Sequence, residues 1–294
     1  QPAAMLLLSS MAAGIATTPI AAAHFNRIAD YGLVANLVAV PIMGMLVMPA
    51  GVIAALLAPL GLAWLPLGLM GIGCELILGV ATGVAGLEGS VTLVPAPPWG
   101  VLALLATGGF VLLVARPLWL RGAGGAAAAL AILLWAGGDR PLLLVAADGG
   151  LTGVLGPAGR ALSKPKGAGF VAKSWLEDDG DGATQEAASA RPGFRGARGD
   201  LTATVAGLTV RHLTGKGASD RMADACTDGA LVVTTEVWEG PAPADCIVFD
   251  RRKLEITGAL AIHAGPKIVT ARETAGDRIW NRPPGTERRL ARSQ

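Results

Sequence analysis

Residues 33–87 read LVANLVAVPIMGMLVMPAGVIAALLAPLGLAWLPLGLMGIGCELILGVATGVAGL, and in these 55 positions the only ionisable side chains are Glu75 and the weakly acidic Cys74. A soluble domain of this size cannot hide so long an apolar run, whereas a bilayer takes up about 20 helical residues per crossing. The stretch predicts an integral membrane protein. Outward from it the composition persists: the first 137 residues carry three basic side chains (Arg27, Arg116, Arg121) and three acidic ones (Asp30, Glu75, Glu88). The remaining 157 carry 21 basic and 19 acidic side chains. Two physical objects are therefore expected: a polytopic α-helical membrane domain over 1–137, then a small α+β or mostly β extramembrane domain over 138–294.

Five segments in the first part have the length and apolarity of helices: Met5 to Ala23, Gly32 to Leu60, Trp64 to Leu87, Trp99 to Ala115 and Gly122 to Trp135. The first apolar run begins at once, with no basic leader and no small-residue cleavage site, so it does not read as a secretory signal. It reads as the start of a chain truncated inside a membrane segment, with further spans upstream. His24 to Tyr31 mixes aromatic, basic and acidic groups, the pattern of a segment lying along the membrane surface. Arg116 and Arg121 flank a short loop, which the positive-inside rule puts in the cytoplasm; the tail after Gly137 is then expected outside.

Four residues are candidates for a transport path. Pro41 and Pro49 interrupt the second segment, and a helix broken there frees carbonyls that lipid cannot satisfy but a water-lined path can. Asn36 brings an amide into the same apolar run, and Glu75 is the one carboxylate deep in its span. The competing readings are a structural interhelical hydrogen bond for Asn36, ordinary packing kinks for the prolines, and an interfacial position for Glu75. Gly44, Gly51, Gly71, Gly79 and Gly83 suit close helix packing.

The tail shows short β-like runs separated by Gly and Pro: Leu142 to Ala146, Thr152 to Leu155, Leu201 to Val210, Ala230 to Thr235, Cys246 to Phe249 and Ala259 to Ile262. Residues 177–198 read as a long mobile loop. Asn281 to Gln294, rich in Pro and Arg, reads as a frayed end. Glu177, Asp179, Asp181 and Gly182 follow calcium-loop spacing, but Ala188 stands where a bidentate Glu is needed, leaving a solvated acidic turn. Cys226 and Cys246 flank a strand-like run; they bridge in an oxidising compartment or stay as two buried thiols. Arg191, Arg195, Arg198, Arg211, Lys216, Arg251, Arg252 and Lys253 offer phosphate contacts, with Phe194 or Trp175 for base stacking, but Asp178, Asp179, Asp181 and Asp200 offset many of them, favouring a solvated mixed-charge surface, and the net charge of +2 alone does not argue for a polyanion.

A family emerges from three motifs in order. Thr17, Thr18, Pro19, then His24, Phe25, Asn26, Arg27, then the run from Gly32 to Pro41 resemble the ComEC competence family, whose first motif has Leu where Thr18 stands here. The resemblance spans Met5 to Leu120. It implies part of an inner-membrane channel for uptake of single-stranded DNA in natural transformation, multi-pass in the bacterial cell membrane. Its implied partners are single-stranded DNA, membrane lipids and other competence proteins, with an OB-like domain upstream and no cofactor. Many members add a metallo-β-lactamase-like domain. Residues Leu142 to Gly150 look like a degraded form of its opening strand, but the three histidines, His24, His212 and His263, are far apart and the dense His/Asp motif is missing. Neither a metal site nor nuclease activity is expected. The competing functions are a membrane-anchored hydrolase, for which no Gly-x-Ser-x-Gly is found, and a secondary transporter of a small solute, for which no inverted repeat is seen.

Overall fold

The computed structural model describes residues 2–227, 229–240, 246–265, 267–276 and 278, so the Asn281 to Gln294 segment lies outside the described residues. The chain divides into two compact units, Gln1–Ala136 and Gly137–Gln294.

The first unit is helical, because with almost no polar side chain to compete, an apolar segment satisfies its backbone most fully within its own helix. It contains α1 (Pro2–Phe25), β1 (Arg27–Ala29), α2 (Gly32–Ile42), α3 (Met48–Leu57), α4 (Trp64–Ala85), β2 (Val91–Leu93), α5 (Val101–Val114) and α6 (Leu118–Ala136). Among the described residues three helices are long and apolar enough to cross a membrane: Gly32–Leu60, Trp64–Ala85 and Leu118–Ala136. At 14 residues, α5 is a shorter apolar helix.

Two local expectations are corrected. The second segment is not broken at Pro41 and Pro49: it runs as one helical body from Gly32 to Leu60, with a π-helical turn at Met43–Val47 between the prolines. Met48 N–H donates to Met43 O five residues back, and this wider turn absorbs the proline-induced gap in the ladder. Leu118 to Arg121 is helix rather than loop: Leu120 and Arg121 N–H both donate to Pro117 O, and Arg121 Nε reaches back to Leu112 O at 3.2 Å. His24 to Tyr31 contains a strand, β1, which pairs antiparallel with β2, Ile28 opposite Thr92.

The closest helix contact is the α5–α6 hairpin. A Cβ on Gly108 would lie 2.7 Å from Ala128 N, and one on Gly124 would lie 2.6 Å from Leu112 N. The two backbones meet because neither residue has a side chain.

The second unit packs two five-stranded sheets face to face. β3 (Leu143–Val145), β4 (Thr152–Gly156) and β5 (Gly159–Leu162) lead into α7 (Gly169–Asp178) and α8 (Gln185–Ser189). There follow β6 (Arg195–Ala197), β7 (Asp200–Val205), β8 (Leu208–Leu213), α9 (Met222–Ala225), β9 (Leu231–Thr234), β10 (Ile247–Phe249), α10 (Arg251–Thr257), β11 (Leu260–Ile262), β12 (Ile268–Thr270) and α11 (Ala271–Ala275). One sheet has the order β12-β11-β3-β4-β5, the other β10-β9-β8-β7-β6. The first is antiparallel throughout; in the second, β8-β9 and β9-β10 are parallel.

Side-chain alternation along strands explains the layering. Leu143, Val145, Val154, Leu260 and Ile262 from one sheet meet Val205, Val210, Leu231, Val233 and Phe249 from the other in a dry core. On the outer face of the first sheet Leu151 and Leu162 pack against Ala172 and Leu176 of α7 and Ala188 of α8. Outside the second, Leu213 and Val232 pack against Met222 and Ala225 of α9. The order is helix, sheet, sheet, helix. The 177–198 segment read as a mobile loop instead contains the end of α7, α8 and β6. Two of its aspartates are in ion pairs, Asp179 with Arg160 of the sandwich and Asp181 with Arg191.

Candidate functional site

The sequence motifs at the start of the chain converge on one cavity. Asn26 ends α1 with φ of 56°, a left-handed conformation that Asn tolerates better than most side chains. Buried at 8% exposure, it turns the chain into β1, while its carbonyl accepts from Val94 N–H at 2.9 Å. The β1–β2 pair thereby ties the α1–α2 connection to the α4–α5 connection. Asp30 closes the far end, its carboxylate accepting from Thr92 Oγ1 at 2.7 Å.

Between α1, β1 and α2 lies a cavity of about 560 Å³, whose polar lining includes Ser10, Thr17, Thr18, Asp30 and Asn36. Thr17 Oγ1 donates to Ala13 O, which uses its hydrogen within the helix and leaves the oxygen as an acceptor. The Asn36 side chain has no hydrogen-bond partner among the described residues. An amide so placed can donate to and accept from water or a polar solute, which an apolar helix face cannot do. No Lys, Arg or His lines the cavity, so it offers polar contact without a cation that would hold a polyanion in place.

Of the four path candidates, Asn36 alone lines this cavity. Pro41 is in the last turn of α2, Pro49 in the first turn of α3, and Glu75 on the exposed side of α4. These three are not in the lining of the cavity. The hydroxyls of Thr17 and Thr18 and the carboxylate of Asp30 were not picked out as site groups from the sequence; the available signal was the spacing of two hydroxyls and one amide across the interfacial stretch.

In the second unit, Cys226 and Cys246 are joined in a disulfide with Cα atoms 5.3 Å apart, linking the end of α9 to the start of β10 around β9. His212 on β8 is 2% exposed, and its Nε2 lies 2.7 Å from Gly149 O. A carbonyl only accepts, so Nε2 carries the hydrogen. Burial pushes the imidazole below its ordinary pKa, partly countered by that hydrogen bond. Gly149 has φ of 67°, and a Cβ there would lie 2.9 Å from Thr234 O, so only glycine fits. Asp148 is occupied in the same turn, accepting from Gly150 N–H at 2.9 Å. His263 follows β11 and does not join His212. Among the described residues no group of three or more His, Cys, Asp or Glu is arranged to hold a metal ion.

No curated protein and no solved structure matches the chain. Residues 1–119 match the family described as Competence protein, and that match contains α1 to α5, the β1–β2 pair and the whole lining of the cavity. Over residues 1–119 the chain is similar to the competence protein family.

Proposed function

We propose that the first unit is a polytopic membrane domain forming part of an inner-membrane channel for uptake of single-stranded DNA in natural transformation, with the Asn36 cavity on the path. The observation carrying this reading is that the residues matching the family line an open, largely apolar cavity into which hydroxyls, a carboxylate and the Asn36 amide are set, in a unit with three span-length helices. A photo-crosslinking residue at position 36 should capture labelled incoming strand in competent cells, while one at Val52, an exposed position on α3, should capture lipid. Capture of DNA at neither position, or equally at both, contradicts the proposal.

The second unit we read as a metallo-β-lactamase-like sandwich without nuclease function. Supporting this are its helix-sheet-sheet-helix order and the engagement of His212 with Gly149 and of Asp148 with its own turn. The full chain incubated with DNA and Mn²⁺ should leave the DNA intact. Cleavage abolished by His212→Ala or His263→Ala overturns the reading.

A further inference from the structure

The cations of the second unit fall into two groups. Among the described residues several of its arginines are engaged: Arg160 with Asp179, Arg191 with Asp181, Arg211 with Asp200 and Arg251 with Glu255, while Arg221 donates to Gly199 O and Thr214 O. Lys164, Lys166 and Arg198 are among the cations that are not, as are Arg195, Lys216 and Arg252. Among the described residues none of the first three side chains pairs with a carboxylate or donates a hydrogen bond, and all three line one cleft of about 660 Å³.

The cleft is built by the fold. Lys164 and Lys166 leave the end of β5, the edge strand of one sheet, with Pro165 between them. Arg198 sits with Gly199 at the two-residue tip of the β6–β7 hairpin in the other sheet, where Ala197 pairs with Asp200. Gln185 Nε2 donates to Lys164 O at 3.1 Å and pins that side. On the other, Gly199 has φ of 90°, and a Cβ on it would lie 2.9 Å from Thr214 O. Glu186 is the one carboxylate in the lining. Three cations against one acid, one of them the half-buried Lys164, repel one another unless an anion joins them. Phe170, four positions after Lys166 and outside the cleft's own lining, opens α7 with 88% of its surface exposed and no core role.

We propose that this cleft binds the phosphodiester backbone of single-stranded DNA, with Lys164, Lys166 and Arg198 on phosphate oxygens and Phe170 stacking on a base. The choice of DNA as the polyanion rests on the uptake reading above. Cations tracking the backbone beside an exposed ring are the combination that holds single strands without reading sequence.

The test is fluorescence anisotropy of a labelled oligothymidylate with the full chain in nanodiscs of zwitterionic lipid, over a range of salt. The triple variant Lys164→Gln, Lys166→Gln, Arg198→Gln should lose at least ~10-fold in affinity, with the slope of log affinity against log salt reduced by about 2, since each single-strand phosphate contact contributes roughly 0.7. Phe170→Ala should weaken binding with the slope kept. Lys216→Gln with Arg252→Gln, basic positions outside the cleft, should bind like the parent. The proposal is overturned if the parent does not bind, if the triple variant keeps affinity and slope, or if the Lys216 and Arg252 control weakens equally. It also falls if inorganic phosphate at matched ionic strength displaces the oligonucleotide, because the cleft then takes a lone phosphate group. Binding is read here without uptake, so its failure is separate from failure of the channel reading.

Discussion

At the scale of single residues, the second unit depends on a buried ion pair. The Arg160 side chain is fully buried; its Nε donates to Asp179 Oδ2 at 2.6 Å and its Nη2 to Asp179 Oδ1 at 3.0 Å, with further bonds to Gly153 O and Pro141 O. Gly153 leaves the space, since a Cβ there would lie 2.8 Å from Arg160 Cδ. Removing one partner strands the other charge, so Asp179→Ala should cost about 3–5 kcal/mol, read as lost hydrogen-exchange protection in β4 and β5. Replacing both with apolar residues should cost much less. The sequence shows Asp179 as part of an acidic run with calcium-loop spacing and not as an ion-pair partner, because Arg160 lies 19 positions away across a helix. His212 has a pH signature. Its folded pKa is depressed, so the opened state binds more protons below the ordinary imidazole value of about 6.5, and stability falls with pH in that range. Protection of β8 amides, corrected for intrinsic exchange, should be full at pH 7.5 and reduced at pH 5.5. In His212→Gln that difference should vanish; its persistence would assign the pH effect to another group.

Among the elements, the helices were legible and their contacts were not. Residues 33–87 announce apolar helices by composition, but nothing local distinguishes a proline break from a π-turn, and the outcome at Pro41 and Pro49 depends on the ladder around Met43 and Met48. The glycines singled out from the sequence did not include Gly108 and Gly124, which make the tightest approach between α5 and α6. Gly124→Val should force the hairpin apart at a cost of about 1–3 kcal/mol, the range for overpacking, and lower the apparent melting temperature in detergent. Gly122→Val, where a Cβ meets nothing within 4 Å, should not. Equal melting of the two variants would mean the hairpin contact contributes little. Among the strands, the run Leu201 to Val210 is two strands, β7 and β8, turned at Ala206 and Gly207 with φ of 50° and 82°. Ala-Gly lacks the Asn-Gly signal that marks such a turn, which is why the run read as one piece.

For the molecule as a whole, sheet order could not be read in advance, because neighbours such as β3 and β11 are more than a hundred residues apart and are chosen by the shared core. The short β-like runs between Gly and Pro were legible; which strand lies beside which was not. The sidedness expected from Arg116 and Arg121 is checked by a reporter active only in the cytoplasm, fused after Gln294, which should stay silent; a bright reporter reverses the topology. The channel proposal turns on a path at Asn36, within the residues that match the competence family. Asn36→Leu removes only the amide, whose hydrogen bonds in a membrane are worth roughly 0.6–2 kcal/mol, too little to prevent insertion. The decisive measurement is entry of labelled DNA into the cytoplasm of a naturally competent host carrying Asn36→Leu, with membrane abundance of the protein followed in the same cells. The account predicts reduced uptake at unchanged abundance; normal uptake at unchanged abundance would contradict it.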